Sequence, residues 1–83
     1  MKIIDVRTKE EYDDGHIKGA ELFDIMNMIY GKFPEISKDE EILLYCESGS
    51  RATIAKPMME QNGFTNIKNG GGIEDMISCG YKC

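Results

Sequence analysis

The sequence predicts a small, minimal α/β domain with a parallel β-sheet that is flanked by helices on both faces. Short β-branched runs alternate with segments of helical spacing along the 83 residues, and this order favours parallel strands joined by crossover helices. The most apolar run, residues 41–46, lacks the alternation of a half-exposed strand, which is typical of a central strand covered on both faces. No repeat, linker or low-complexity segment interrupts the chain, so we expect one domain over residues 1–83.

The first part of the chain carries the signals of two strands with a helix between them. The β-branched run KIIDV predicts a strand over residues 2–6. Thr8 with Glu11 three residues later is a capping-box pattern, and it predicts a short helix over residues 9–14. A brief extended segment is expected near residues 20–23.

The middle of the chain predicts a second helix and the central strand. Asp24 is a favourable N-cap residue for a helix over residues 25–33, and Pro34 is expected to end that helix. A polar turn follows, and then the run EILLYC predicts the strongest strand of the chain over residues 41–46.

The last part of the chain predicts a long helix, a strand and a short helix. Apolar residues recur at helical spacing over residues 51–62, and Pro57 inside this pattern is expected to kink the helix or split off its last turn. The run FTNIKN predicts a strand over residues 64–69. Three glycines at 70–72 predict a tight loop with close backbone approach, before a helix over residues 73–78.

Composition argues against several kinds of partner. The net charge is −5 and lysine and arginine form no cluster, so we do not expect the chain to bind nucleic acid. No apolar run is long enough to cross a bilayer, and no membrane partner is expected. Three cysteines are an odd number, and Cys79 with Cys83 supplies too few ligands for structural zinc. We therefore expect no metal, free thiols and a cytoplasmic location.

The stretch LLYCESGSRA is the strongest functional signal. Cys46 ends the central strand, and ligands of open α/β sheets bind beyond the carboxyl ends of strands. The backbone N–H groups that follow can point inward, and the start of a helix adds partial positive charge. These groups belong to the cysteine loop (residues 46–51), whose members after Cys46 are Glu47, Ser48, Gly49, Ser50 and Arg51. Together with the Arg51 charge they favour a reactive thiolate at Cys46.

Two alternatives accompany this interpretation of the cysteine loop. A cysteine at a strand end is often part of the core, but here the strand end, the small residues, the arginine and the helix start coincide. Four residues separate Cys46 from Arg51, one fewer than in cysteine phosphatases. The shorter loop suits a single sulfur atom better than a phosphate, so a phosphatase or arsenate reductase is the less favoured hypothesis.

Three motifs resemble the rhodanese family of sulfurtransferase domains. They are IDVRTKEEYDDGHIKGA at residues 4–20, YCESGSRA at 45–52 and NGFTNIKNGGGIEDM at 62–76. They are similar to the family's D-V-R and G-H-I-x-G-A pattern, its C-x-x-G-x-R loop and its closing glycine pair. Met76 stands where many members carry tryptophan, as in the small phage-shock-type rhodaneses. The resemblance implies a parallel α/β fold.

The resemblance also implies a mechanism. Cys46 would attack the outer sulfur of a donor such as thiosulfate or a persulfide, and keep that sulfur as its own persulfide. A thiol or cyanide would then accept the sulfur, and no cofactor would be needed. Two alternatives stay open: a persulfide carrier that serves a sulfur-acceptor protein and turns over little thiosulfate, and an interaction module without activity. Phage-shock-type members are exported, so the periplasm is the alternative location if a signal peptide has been removed.

Residues outside the loop are expected to play supporting roles. Asp5 ends its strand near the cysteine loop and is expected to brace it. Arg7 and Glu11 are four residues apart, so we expect them to pair across the start of the first helix. His16, the only histidine, is expected to satisfy backbone groups. Glu47 is expected to point into solvent and to disfavour a dianionic donor.

Overall fold

The computed structural model describes all of residues 1–83 and contains four strands and four helices in alternation. Their bounds are β1 Lys2–Asp5, α1 Lys9–Asp13, β2 Ala20–Leu22, α2 Ile25–Ile29, β3 Ile42–Cys46, α3 Ser50–Gln61, β4 Ile67–Gly72 and α4 Ile73–Ser78. The element order agrees with the prediction. None of the helices has the length and apolar character that crossing a membrane would require.

The four strands form one parallel sheet in the order β2-β1-β3-β4. The apolar strand β3 lies between β1 and β4, so its predicted central place is confirmed. In the register of β1 and β3, Asp5 lies opposite Tyr45. The carboxyl ends of these two strands therefore meet at the same edge of the sheet, and Cys46 follows Tyr45 there.

Two hydrophobic clusters cover the two faces of the sheet. On one face, Leu44 and Cys46 of β3 pack with buried residues of α2 and α3 such as Met28 and Met59. On the other face, Tyr45 packs with Ile17, Ala20 and Met76. Consecutive strand residues point to opposite faces, and burying each large apolar side chain contributes about 1.5–3 kcal/mol. The predicted fold class, a parallel sheet with helices on both faces, is confirmed.

Several predicted boundaries of helices differ from the structure. Helix α3 runs unbroken through Pro57, because Ala55 and Met59 on either side of the proline are fully buried and hold the last turn against the sheet. Helix α2 ends at Ile29 rather than residue 33, since Gly31 takes a left-handed conformation with φ of +88°.

The three glycines at 70–72 form the end of β4 rather than a loop. The predicted close backbone approach is present. A Cβ atom on Gly70 would lie 2.5 Å from the Met76 sulfur, and one on Gly72 would lie 2.5 Å from the carbonyl oxygen of Glu47. The strand can continue here only because these positions lack side chains.

Candidate active site

Cys46 lies where β3 ends, and its side chain is fully buried. The backbone N–H of Gly49 donates a hydrogen bond to the Cys46 sulfur over 2.9 Å. Gly49 adopts a φ of +98°, which lets the chain turn back over the sulfur before α3 begins at Ser50. The sequence predicted inward-pointing N–H groups, and one of them reaches the sulfur.

The glycine-rich end of β4 packs against the cysteine loop. Cys46 pairs with Gly72 in the sheet, and Ser48 forms an isolated antiparallel bridge with the same glycine. Beside this contact lies a shallow depression of about 680 Å³. Its walls are formed by Ser48, Gly49, Ser50, Thr53, Asn69, Gly70 and Gly71. The loop therefore borders an open surface that carries hydroxyl and amide groups.

A buried polar network supports the strand ends next to Cys46. Asp5 is fully buried and Arg7 is 3% exposed. The Asp5 carboxylate accepts hydrogen bonds from Arg7 Nη2 and from the Tyr45 hydroxyl, each over 2.8 Å. The Tyr45 oxygen in turn accepts the backbone N–H of Ile17 over 2.9 Å. Asp5 thus contacts the residue before Cys46 rather than the cysteine loop itself.

The charge states in this network follow from its contacts. Burial raises the pKa of Tyr45 well above its usual value, so its hydroxyl keeps the proton that it donates to Asp5. Burial opposes the charge of Arg7, but hydrogen bonds to Asp5 and Glu47 outweigh this effect and raise the pKa of Arg7. Asp5 and Arg7 therefore form a charged, hydrogen-bonded pair inside the domain.

The predicted pairing of Arg7 with Glu11 is wrong, whereas Glu47 is exposed to solvent as predicted and is also bound by Arg7. Arg7 Nη1 donates to Glu47 Oε1 over 3.0 Å, although the Glu47 side chain is 56% exposed. The register explains this contact. Asp5 lies opposite Tyr45, and Arg7 and Glu47 each follow two residues later, so the parallel strands bring them to the same edge of the sheet.

Glu11 instead binds Arg51, at the far end of the cysteine loop. The two carboxylate oxygens accept hydrogen bonds from Arg51 Nη1 and Nη2 over 2.6 and 2.8 Å. This pair lowers the pKa of Glu11 to about 2 and raises the pKa of Arg51. The capping box with Thr8 is present as predicted and holds Glu11 in place. Arg51 therefore directs Nη1 and Nη2 toward Glu11 of α1 rather than toward the Cys46 sulfur.

The histidine and the other two cysteines make no hydrogen bond to Cys46. His16 Nδ1 is 2.8 Å from the carbonyl oxygen of Tyr12, and its ring stacks on the Tyr12 ring. The geometry agrees with the expected structural role of the histidine. Cys79 and Cys83 are both exposed and free, and Cys83 lines a second depression together with Arg7 and Glu47.

Sequence reasoning missed three contributors to the site. The Glu11 partnership with Arg51 joins residues 40 positions apart, and the capping box had already explained Glu11 locally. The local sequence predicted Gly72 only as part of a tight loop. It contained no pattern that indicated a role for the Tyr45 hydroxyl. The parallel alignment of β1 with β3 brings Arg7 and Glu47 to the same edge of the sheet.

Comparison with known proteins decides the family. The model of the Rhodanese-like domain family matches residues 1–78. The chain belongs to the rhodanese-like family. The rhodanese-like domain is 32% identical over 76 residues to the thiosulfate sulfurtransferase PspE of Escherichia coli, covering 88% of this chain and 71% of PspE.

Two further comparisons define the limits of this similarity. The domain is 32% identical to the putative sulfur carrier protein YrkF of Bacillus subtilis, covering 83% of this chain but only 37% of YrkF. The rhodanese_3 like domain of the Alr3790 protein from Anabaena superposes with a TM-score of 0.86 at 25% identity, covering 99% of this chain and 95% of that one. The relatives include a sulfurtransferase and a putative carrier, so their common chemistry is the transfer of sulfur between a donor and an acceptor.

Proposed function

We propose that the rhodanese-like domain transfers a sulfane sulfur from a donor to a thiophilic acceptor through a persulfide on Cys46. The observation that carries the proposal is the hydrogen bond from the Gly49 N–H to the Cys46 sulfur at the start of α3. A donor at this position stabilises negative charge on sulfur before and after transfer. Similarity to the thiosulfate sulfurtransferase PspE supports the same chemistry.

The first step forms the persulfide. The Cys46 thiolate attacks the outer sulfur of a donor such as thiosulfate, and the bond between the two donor sulfurs breaks. Sulfite leaves with that electron pair, and Cys46 retains a negatively charged outer sulfur. In the second step, cyanide or a thiolate attacks this outer sulfur. The Cys46 thiolate is regenerated, and the product is thiocyanate or a new persulfide.

We assign the binding of the outer sulfur to the backbone of the cysteine loop. Glu47, Ser48 and Gly49 connect the end of β3 to α3, and Ser50 and Arg51 lie in the first turn of α3. Because Cys46 is fully buried, the donor reaches it only when this loop shifts outward. Ser48 and Ser50 are exposed, so an outward shift exposes no additional apolar side chain from either residue. Asp5 and Arg7 support the loop through Tyr45 and Glu47.

The partners in this proposal are a small sulfur donor, thiosulfate or a persulfide, and a thiol, cyanide or protein acceptor. The chemistry requires no cofactor, because cysteine alone carries the sulfur. The free state of the three cysteines supports a cytoplasmic location. A carrier function differs only in the donor and acceptor, and similarity to the putative sulfur carrier protein YrkF supports it as the second candidate.

Intact-protein mass spectrometry after treatment with thiosulfate or cysteine persulfide tests the proposal. We expect a gain of about 32 Da, one sulfur atom, which cyanide removes. The Cys46→Ser variant should gain nothing, whereas a variant with both Cys79 and Cys83 changed to serine should load as the wild type does. A stable adduct that persists in Cys46→Ser would overturn the assignment of Cys46.

A further inference from the structure

A chain of hydrogen bonds connects β4 to Gly49, the residue whose N–H donates to the Cys46 sulfur over 2.9 Å. The carbonyl oxygen of Gly49 accepts two hydrogen bonds from Thr53 of α3, one from its backbone N–H over 3.0 Å and one from its hydroxyl over 2.8 Å. The Thr53 hydroxyl oxygen in turn accepts a hydrogen bond from Asn69 Nδ2 over 3.1 Å. The Asn69 side chain therefore acts, through Thr53, on the residue that binds the sulfur.

The direction of each hydrogen bond in this chain is fixed by the bond before it. The backbone N–H of Gly71 can only donate, so the Asn69 atom that lies 2.8 Å from it is the amide oxygen Oδ1. The amide nitrogen of Asn69 then faces Thr53. Because the Thr53 hydroxyl accepts this N–H, its own proton is free to point at the carbonyl oxygen of Gly49.

Gly49 depends on such contacts, because it has no side chain that could hold it in place. It is the N-cap residue of α3 and has a left-handed backbone with φ of +98°. The hydrogen bonds from Thr53 fix its carbonyl oxygen against α3. On its other side it packs on β4, where a Cβ atom added to it would lie 3.4 Å from the Cα of Gly71. With both sides held, the Gly49 N–H keeps its direction toward the Cys46 sulfur.

We propose that Thr53 and Asn69 are positioning residues for sulfur transfer, which keep the Gly49 N–H directed at the Cys46 sulfur. This inference rests on the proposed persulfide chemistry of Cys46. Neither residue makes a hydrogen bond to Cys46 itself. A helical threonine often bonds the carbonyl four residues earlier, but the additional hydrogen bond from Asn69, which belongs to β4, is not part of that local pattern.

The direction of this N–H matters in both steps of the transfer. In the first step, the Cys46 thiolate forms a bond to the outer sulfur of a donor such as thiosulfate. The bond between the two donor sulfurs breaks, and sulfite leaves with its electron pair. In the second step, cyanide or a thiolate takes the outer sulfur, and the electron pair of the broken bond returns to the Cys46 sulfur. The Gly49 N–H stabilises the Cys46 thiolate as the nucleophile of the first step and as the leaving group of the second.

Removing the Thr53 hydroxyl tests the inference. Thr53→Val removes the hydroxyl and keeps the shape of the side chain, whereas Thr53→Ser keeps a hydroxyl. The matched control is Thr65→Val. Thr65 is exposed like Thr53, and it also directs both its N–H and its hydroxyl to one carbonyl oxygen, that of Lys38.

Three measurements on each variant separate positioning from folding and from access. They are the rate of sulfur loading from thiosulfate and from cysteine persulfide, the rate of alkylation by iodoacetamide across the pH range in which thiols ionise, and urea unfolding. All proteins also carry Cys79→Ser and Cys83→Ser, so that Cys46 is the only thiol. The alkylation rate reached at high pH reports access to the sulfur, and the pH at which that plateau is reached reports stabilisation of the thiolate.

We expect Thr53→Val to load sulfur about two- to tenfold more slowly from either donor, which is the rate equivalent of one hydrogen bond. Its alkylation should reach the plateau only at a higher pH, with the plateau rate unchanged. Thr53→Ser and Thr65→Val should behave as the wild type does. Because Thr53 and Asn69 are exposed, the urea midpoints should stay close together.

A variant of Asn69 tests the order of the chain. Asn69→Leu removes the hydrogen bond to Thr53 and should slow sulfur loading in the same direction as Thr53→Val. The double variant Thr53→Val/Asn69→Leu should load no more slowly than Thr53→Val alone, because Asn69 acts only through Thr53. Additive losses would overturn this order.

Other results would contradict the inference or its basis in distinguishable ways. Sulfur loading of Thr53→Val at the wild-type rate would show that the hydroxyl does not position Gly49. Slower loading that Thr53→Ser does not restore, or that comes with a changed alkylation plateau, would show that Thr53 only controls how the cysteine loop packs or opens. Failure of the wild type to take sulfur from either donor would refute the proposed function, whereas the pH profile of alkylation would still test the positioning of Gly49.

Discussion

Arg7 and Glu47 lie just beyond the ends of the neighbouring strands β1 and β3, and Arg7 Nη1 is 3.0 Å from Glu47 Oε1. Glu47 immediately follows Cys46, so the buried Arg7 restrains the second residue of the cysteine loop. At the other end of the loop, Glu11 restrains Arg51 in the same way. The loop is thus held near both ends by ion pairs, one to Arg7 just after β1 and one to Glu11 in α1.

Replacing Arg7 is expected to destabilise the domain strongly. Arg7→Met leaves the fully buried Asp5 without its cation, and an unpaired buried charge costs about 3–5 kcal/mol. Arg7→Lys keeps the charge but loses the forked hydrogen bonds, and should have a smaller effect in the same direction. Urea unfolding measures the loss of stability in both variants.

The control for this prediction is Lys2→Met, which breaks the exposed pair between Lys2 and Glu21. Exposed pairs contribute little, so its unfolding midpoint should stay close to that of the wild type. If Arg7→Met unfolded at the same urea concentration as Lys2→Met, Arg7 would not be holding Asp5 as the structure shows.

The Tyr45 hydroxyl is expected to stabilise the domain, although it lies in an apolar cluster. It donates to Asp5 and accepts the N–H of Ile17, and Tyr45→Phe leaves both groups short of a partner. We expect a loss of about 1–3 kcal/mol in the free energy of unfolding. Tyr30 is 76% exposed, so Tyr30→Phe is the matched control and should change little. Equal stability of the two variants would be incompatible with the described hydrogen bonds.

The pair of Glu11 with Arg51 should make stability depend on pH in the acid range. The pKa of Glu11 falls from an ordinary value of 4.5 to about 2 in the folded domain, chiefly through its hydrogen bonds to Arg51. The stabilisation by the ion pair of Glu11 with Arg51 is therefore complete at pH values above the ordinary pKa. It is lost as the pH falls toward the lowered pKa of the folded domain. Because the pair is partly exposed, we expect about 1 kcal/mol.

Urea unfolding of the wild type and Glu11→Gln at several pH values measures this contribution. The difference in free energy should be constant from about pH 7 to about pH 5.5, and should shrink as the solution is acidified further. A difference that stayed the same down to about pH 3 would mean that Glu11 does not carry the lowered pKa.

Gly72 is expected to be required for the shape of the cysteine loop. A Cβ atom at this position would lie 2.5 Å from the Glu47 carbonyl oxygen and 3.1 Å from the Cα of Ser48, and both are backbone atoms that cannot rotate away. Gly72→Ala should cost about 1–3 kcal/mol and reduce sulfur loading on Cys46 in the protein that remains folded. Loading at the wild-type rate would show that the position of β4 does not determine the loop geometry.

The strands and helices could be predicted from local sequence, because their signals lie within a few residues. The apolar run of β3, the Thr8 capping box and the Asp24 cap each predicted an element that the structure contains. The place of Cys46 at a strand end before a helix was predicted for the same reason. Pro57 misled the prediction, because tertiary packing of α3 outweighs the local cost of a proline.

The charge arrangement around Cys46 was harder to predict, because it depends on contacts between distant parts of the chain. Helix spacing favoured Arg7 with Glu11, but the parallel alignment of β1 and β3 places Arg7 against Glu47. No local pattern indicates that Glu11 reaches Arg51. That contact depends on how α1 packs beside the first turn of α3, which only the complete fold determines.

A complete transfer cycle on the variant with Cys79 and Cys83 both changed to serine tests the central claim most directly. Cys46 is then the only thiol. One equivalent of cysteine persulfide should add about 32 Da to the protein, and cyanide should return it to its starting mass with one equivalent of thiocyanate formed. If the mass did not change, or if the added sulfur could not be transferred to cyanide, Cys46 would not be a sulfur-transferring cysteine.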